Sequence, residues 1–323
     1  MPSRRECLTV SRKARFAAAH FLALPEASDA ENFQRFGPSS NTFAHGHNYE
    51  VEVFVSGPLD ANTGMVVNLK DLKAILNDEV VTPLDFKNLN RQVPFFENRL
   101  TTLENLVQLL WTSLHPRLEA LSLELAGLKA LESNDLYVEY FGGTPEPFDS
   151  VSLSERGHVS AMPPSSSQTS ENQPSENQPT GTDTSPGLVY FTRGYDFPAG
   201  HRLHNPEWSD EENQRVFRRC NNPNGHGHNY SLEVTVVGTP EPRLGMVVDL
   251  HGLDLTVQRV ILDRVDHRNF NVDVDFMQGI IPTAENIVRA FWKELAPEIP
   301  SPARLARLRL VETPNNAAEY RGG

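Results

Sequence analysis

Along the second half of the chain, Tyr230, Leu232, Val234 and Val236 alternate with Ser231, Glu233 and Thr235. A period of two sends every second side chain to one face, so this stretch predicts a strand with one buried side. Tyr49, Val51, Val53 and Val55 repeat the pattern in the first half. Asp249 can cap a helix in which Leu250, Leu253, Val257, Val260 and Ile261 form an apolar stripe. Thr283 can cap another, with Ile287, Ala290, Phe291 and Leu295 turned inward. A strand pair around 305–312 and 317–321 closes the unit. The elements read as mixed α and β, and their strand order is not legible.

The whole pattern occurs twice. Phe16-Ala-Ala-Ala-His20 returns as Phe197-Pro-Ala-Gly-His201, and Ser28-Asp-Ala-Glu-Asn32 as Ser209-Asp-Glu-Glu-Asn213. His45-Gly-His-Asn-Tyr49 returns as His226-Gly-His-Asn-Tyr230, and Gly64-Met-Val-Val-Asn-Leu69 as Gly245-Met-Val-Val-Asp-Leu250. Members of each pair lie 181 positions apart, and a constant offset means a duplicated domain without insertions through that stretch. Between the copies, Ser170-Glu-Asn-Gln-Pro174 is followed at once by Ser175-Glu-Asn-Gln-Pro179 in a segment rich in Ser, Pro, Gln and Asn. So few apolar groups cannot offset the entropy of ordering, which predicts a flexible linker. The expected division is a first domain at 1–143, a linker at 144–187 and a second domain at 188–323.

Composition narrows the class. The net charge of −13 argues against broad nucleic-acid binding, which needs a basic face, but leaves room for a small anion in a locally positive pocket. Cys7 and Cys220 are the only cysteines, too few for a disulfide framework, so a reducing, cytoplasmic setting is expected. The basic start Met1–Thr9 leads into no apolar signal core, and no run approaches the ~18 apolar residues of a membrane span.

The histidines carry the first chemistry. His226 and His228 stand two apart on a predicted strand and leave the same face, and His201 ends an earlier apolar strand. Three neutral imidazoles can hold a metal with a fourth position open, the way catalytic zinc is usually held. An isolated His-x-His is more often an exposed turn or a core pair. Here, however, His20, His45 and His47 reproduce the trio at identical spacing. Cys220, six positions before His226 and beside Arg218 and Arg219, lies in a polar Asn/Pro/Gly loop that is a poor place to bury a thiol. A thiolate there could serve as a base.

The run Cys220-Asn-Asn-Pro-Asn-Gly-His-Gly-His-Asn-Tyr230 resembles the signature of the 6-pyruvoyl-tetrahydropterin synthase family. So do Gly245-Met-Val-Val-Asp-Leu250, Asp266-His-Arg-Asn-Phe-Asn271, Pro282-Thr-Ala-Glu-Asn286 and Val311-Glu-Thr313. The resemblance implies an α+β architecture of tandem T-fold domains, each a four-stranded antiparallel sheet with two helices on one face, assembling into rings with sites between units. It implies a zinc-dependent lyase that converts 7,8-dihydroneopterin triphosphate to 6-pyruvoyl-tetrahydropterin with loss of triphosphate. Zinc on His201, His226 and His228 would bind the substrate's hydroxyls, and Cys220 would move the proton. Asp266 and His267 would complete a relay, supplied by a neighbouring unit. Glu312 would anchor the pterin, with Thr283 adding to the pocket.

The first copy departs from that set. Cys220 maps to Ser39 and His267 to Phe86, whereas Asp85, Glu104 and Glu132 match Asp266, Glu285 and Glu312. The first copy is therefore expected to be a non-catalytic partner that keeps metal ligands and a pterin anchor. Three chains, with a ring of second copies stacked on a ring of first copies, are one expected assembly. The nearest rival is 6-carboxy-tetrahydropterin synthase of the queuosine-type pathway, whose members typically set the cysteine closer to the histidine pair than the five intervening residues found here. A binding module that keeps zinc without turnover is a rival of another class. A zinc hydrolase is disfavoured, since the chain has no His-Glu-x-x-His helix.

Overall fold

The computed structural model describes residues 7–142 and 187–322. The expected linker at 144–187 lies outside the described residues, Gly187 excepted.

In each copy the longest strands come first. β1 (Cys7–His20) pairs antiparallel with β2 (His45–Pro58) along its whole length. β2 then pairs with β4 (Glu124–Ser133), and β4 with β5 (Leu136–Tyr140). A two-residue strand, β3 (Lys87–Asn88), runs parallel to the end of β1. The second copy repeats the arrangement with β6 (Val189–His201), β7 (His226–Gly238), β8 (Arg268–Asn269), β9 (Arg304–Thr313) and β10 (Asn316–Tyr320). The short parallel strand corrects the expected four-stranded sheet to one of five.

Helices α1 (Asp29–Phe36), α2 (Leu69–Leu76) and α3 (Leu103–Glu119) belong to the first copy. Helices α4 (Asp210–Phe217), α5 (Leu250–Val257) and α6 (Ala284–Leu295) belong to the second. The apolar stripe of α5, continued through a π-helical turn at Gln258–Leu262, buries Leu253, Val257, Val260 and Ile261. Ile287, Ala290, Phe291 and Leu295 of α6 join them in the core with Tyr230, Leu232, Val234 and Val236 of β7. Asp249 caps α5 and Thr283 caps α6, each accepting a backbone N–H from the first turn.

The repeated Ser-Asp-x-Glu-Asn motif serves structure. Ser28 and Glu31 form a reciprocal capping box on α1, and the buried Asn32 amide bonds both polar backbone atoms of Leu24. Ser209 caps α4, and Asn213 does the same for Asn205. Thr235, on the polar side of the β7 alternation, is nevertheless buried. Its hydroxyl lies 2.9 Å from that of Thr192, and Arg307 Nε donates to it from above.

The two copies share one sheet. β5 pairs antiparallel with β6, setting Tyr140 opposite Val189 and Leu136 opposite Arg193. The strands run in the order β10-β9-β7-β6-β5-β4-β2-β1-β3, with β8 also on β6. This corrects the expected stacking of separate rings, because backbone pairing places a first and a second copy side by side. Among the described residues, no helix is long and apolar enough to cross a membrane.

Candidate active site

The β6–β7 ladder sets His201 directly opposite His226, and the strand period brings His228 to the same face. Ring centroids lie 4.5 Å apart for His201 and His226, 5.2 Å for His201 and His228, and 5.0 Å for His226 and His228. His201 Nε2 and His226 Nε2 are 3.1 Å apart. His201 is buried, and its Nδ1 lies 2.8 Å from the carbonyl oxygen of Pro282. A carbonyl can only accept, so Nδ1 carries the proton and Nε2 turns a lone pair to its neighbours.

The first copy builds the same trio from β1 and β2, with centroids 4.6, 5.2 and 4.9 Å apart for His20, His45 and His47. His20 Nδ1 bonds Thr101 O at 3.0 Å. Burial, with smaller repulsions from His45 and His47, lowers the His20 pKa to about 4. Burial also lowers those of His45, His47, His201 and His226. These five imidazoles therefore favour the neutral form, the one that ligates metals. His20 Nε2, His45 Nδ1, His47 Nε2 and His226 Nδ1 are buried without a hydrogen-bond partner. Unpartnered buried nitrogens at this density fit a divalent cation, and each trio brings its ligating atoms within 4.8 Å of one another.

A carboxylate stands over each trio. Glu312 Oε1 lies 3.6 Å from His201 Nε2 and 3.9 Å from His228 Nε2. Glu132 Oε1 approaches His47 Nε2 to 3.2 Å, unaligned for a hydrogen bond, and falls within the first copy's ligand group. Burial, then the nearby Glu104, raises the Glu132 pKa to about 7.

Beneath each trio lies a buried tyrosine that the sequence reading assigned only to the core. Tyr230 is 5.6 Å from His228 between ring centroids, and its phenol is pushed upward by burial and then by the Glu312 charge. Tyr49 takes the same place under His47. The available signal was position: each tyrosine follows the second histidine by two residues on the same strand face.

Cys220 is half-buried on the loop before β7. The loop is anchored by Leu203 N–H, which donates to Cys220 O at 2.8 Å, and by Arg202, which donates to both oxygens of Asn221. Neither Arg202 nor Asn221 stood out in the sequence. Leu22 N–H donates to Ser39 O at 2.7 Å, so Ser39 occupies the place of Cys220. Arg218 and Arg219 are exposed.

Asp266 and His267 lie at the turn into β8, with His267 Nδ1 2.9 Å from Asp266 Oδ1. His267 borders an open cavity of about 410 Å³ with Pro198–Gly200, Gly227–Asn229 and Arg268. Among the described residues, the only side-chain hydrogen bond of either is to the other. In the first copy Asp85 Oδ1 instead accepts the Ala17 N–H at 2.8 Å. Pro198 replaces Ala17 and has no N–H to donate, which leaves the Asp266 carboxylate to orient His267. Thr283 is half-buried at the α6 cap.

The family model described as 6-pyruvoyl tetrahydropterin synthase matches the chain twice, over residues 9–143 and 190–323. The chain is similar to a 6-pyruvoyl tetrahydrobiopterin synthase of Drosophila melanogaster, 40% identical over 135 residues, covering 42% of this chain and 80% of that one. A solved 6-pyruvoyl tetrahydropterin synthase from Caenorhabditis elegans is 40% identical, covers 42% of this chain and 96% of that one, and superposes with a TM-score of 0.41. A 6-carboxy-5,6,7,8-tetrahydropterin synthase of Rickettsia conorii is 27% identical over 146 residues, covering 40% of this chain and 96% of that one.

Proposed function

Since the chain belongs to the 6-pyruvoyl tetrahydropterin synthase family, we propose that its second copy is a zinc-dependent lyase acting on 7,8-dihydroneopterin triphosphate. The products are 6-pyruvoyl-tetrahydropterin and free triphosphate. One observation carries this reading: His201, His226 and His228 converge beside the Glu312 carboxylate, with Nε2 of His201 and of His226 3.1 Å apart.

His201, His226 and His228 would hold the metal, with the backbone carbonyl of Pro282 fixing the His201 tautomer. Bound there, zinc supplies Lewis-acid polarisation of the substrate's side-chain hydroxyls. Cys220 takes the proton from the adjacent carbon as a thiolate base, and its loop is held in place by Arg202 and Asn221. His267, oriented by Asp266, returns a proton to the substrate. Glu312 binds the amino and ring N–H edge of the pterin through two parallel hydrogen bonds, and Thr283 lines the pocket. The first copy keeps His20, His45, His47 and Glu132 but has Ser39 and Phe86 where proton transfer needs a thiol and an imidazole. It acts as a metal- and pterin-binding partner without turnover.

Incubation with 7,8-dihydroneopterin triphosphate, with products identified by mass, tests the assignment. A pyruvoyl-pterin and triphosphate, both absent with Cys220→Ala, are expected. A 6-carboxy product would move the chain to the other branch, a reading that the five-residue spacing from Cys220 to His226 disfavours. No turnover by a metal-loaded sample would make the second copy a binding module too.

A further inference from the structure

The two histidine trios share one framework, but the carboxylates over them are held differently. Glu132 and Glu312 stand at matching places near the ends of β4 and β9. Their side chains are equally withdrawn from solvent, 15% and 13% exposed, so burial does not distinguish them. What differs is the competing donor. Asn316, the first residue of β10, donates its side-chain amide to Glu312 Oε2. By the register of the two hairpins its counterpart is Leu136, the first residue of β5, which is buried and has no side-chain donor. Among the described residues, no hydrogen bond reaches the Glu132 carboxylate. A carboxylate so far from water needs donors or a cation beside it.

The distances follow the donors. Zinc holds imidazole nitrogen and carboxylate oxygen at about 2.0–2.2 Å, so neighbouring ligand atoms of its tetrahedron lie roughly 3.3–3.5 Å apart. Glu132 Oε1 is 3.2 Å from His47 Nε2, close to that spacing. It joins His20, His45 and His47 in one group whose ligating atoms all lie within 4.8 Å of one another. Glu312 Oε1 stands 3.6 and 3.9 Å from the Nε2 atoms of His201 and His228. Among the described residues, the matching group there holds the three histidines alone.

We propose that Glu132 is the fourth protein ligand of the first copy's metal, and that the Asn316 amide keeps Glu312 from taking that place in the second. A metal held by His20, His45, His47 and Glu132 has no open position, the arrangement of structural zinc. His201, His226 and His228 leave one position free for substrate. The first copy is thus closed at the metal, besides having Ser39 and Phe86 in place of Cys220 and His267. A pterin that enters it must draw Glu132 off the metal before that carboxylate can anchor it. Closure of this kind rests on the metal assigned to the trios above and is independent of the reaction.

Cobalt(II), whose visible spectrum reports its ligands, tests this in the full chain. With His201→Ala, which leaves the first trio as the loaded site, azide should not change the spectrum. Adding Glu132→Gln, which keeps the side chain's shape, should make the site azide-responsive. It should also speed cobalt loss to a chelator by roughly tenfold or more, the scale of losing a partner one shell further out. With His20→Ala, which leaves the second trio, azide should shift the spectrum, and adding Asn316→Leu at that exposed position should suppress the shift. An azide shift at the first trio with Glu132 in place would overturn the proposal. So would a spectrum and release rate that Glu132→Gln leaves unchanged, or an azide shift at the second trio that persists in Asn316→Leu. A first trio that takes up no cobalt, read by elemental analysis, would overturn the metal assignment along with it.

Discussion

His267 Nδ1 stands 2.9 Å from Asp266 Oδ1, and the bond exists because Pro198 offers that carboxylate no amide hydrogen. In the first copy the matching aspartate is spent on the Ala17 N–H. Pro198→Ala should therefore draw Asp266 away from His267. Proton transfer by a positioned side chain contributes roughly 10²- to 10⁴-fold, and loss of its orientation should remove about tenfold of kcat. Metal content and KM should stay as they were. An unchanged kcat would show that His267 needs no orientation from Asp266.

Each histidine trio should hold one metal ion. Elemental analysis of the purified chain should give two ions per chain, and either His201→Ala or His20→Ala should leave one. Loss of both ions from a single change would mean that the sites are coupled across β5 and β6. A single ion in the wild-type chain would confine metal to one copy.

Glu104 adds a pH dependence. Burial raises its pKa to about 7 from an ordinary 4.5, so the folded chain holds that proton more tightly than the unfolded one. The sign follows from linkage: the contribution is fully present below about 4.5 and is lost as pH rises through about 7. At 1.36 kcal/mol per pKa unit the loss amounts to roughly 3 kcal/mol at most. In the metal-free protein, Glu104→Gln should flatten the urea midpoint between pH 5 and 8. A midpoint with the same slope in the variant would place the dependence elsewhere.

The first copy can be asked to regain chemistry. In a Cys220→Ala background, Ser39→Cys with Phe86→His gives the first copy the two groups proposed above for proton transfer, at a site that already holds His20, His45, His47 and Glu132. Turnover at least tenfold above the background variant is expected, rising again when Ala17→Pro frees Asp85. No gain with metal bound in the first copy would show that its pocket excludes the substrate.

The amino-acid sequence by itself determined whatever rests on neighbours in the chain. The two-residue period put His226 and His228 on one face, and Asp249 and Thr283 marked helix starts because a capping side chain reaches only the next turn. The constant offset exposed the duplication and the loss of Cys220 and His267 from the first copy. Strand order, the pairing of β5 with β6, the tyrosines under the histidines and the Arg202–Asn221 anchor were decided only by tertiary structure. Glu104 and Glu285 show why. They are the same residue at the same helix start, yet one is buried beneath Val247 and the other is exposed. Local sequence sets which groups a segment offers, but burial and pairing are set by what docks on it from 143 residues away.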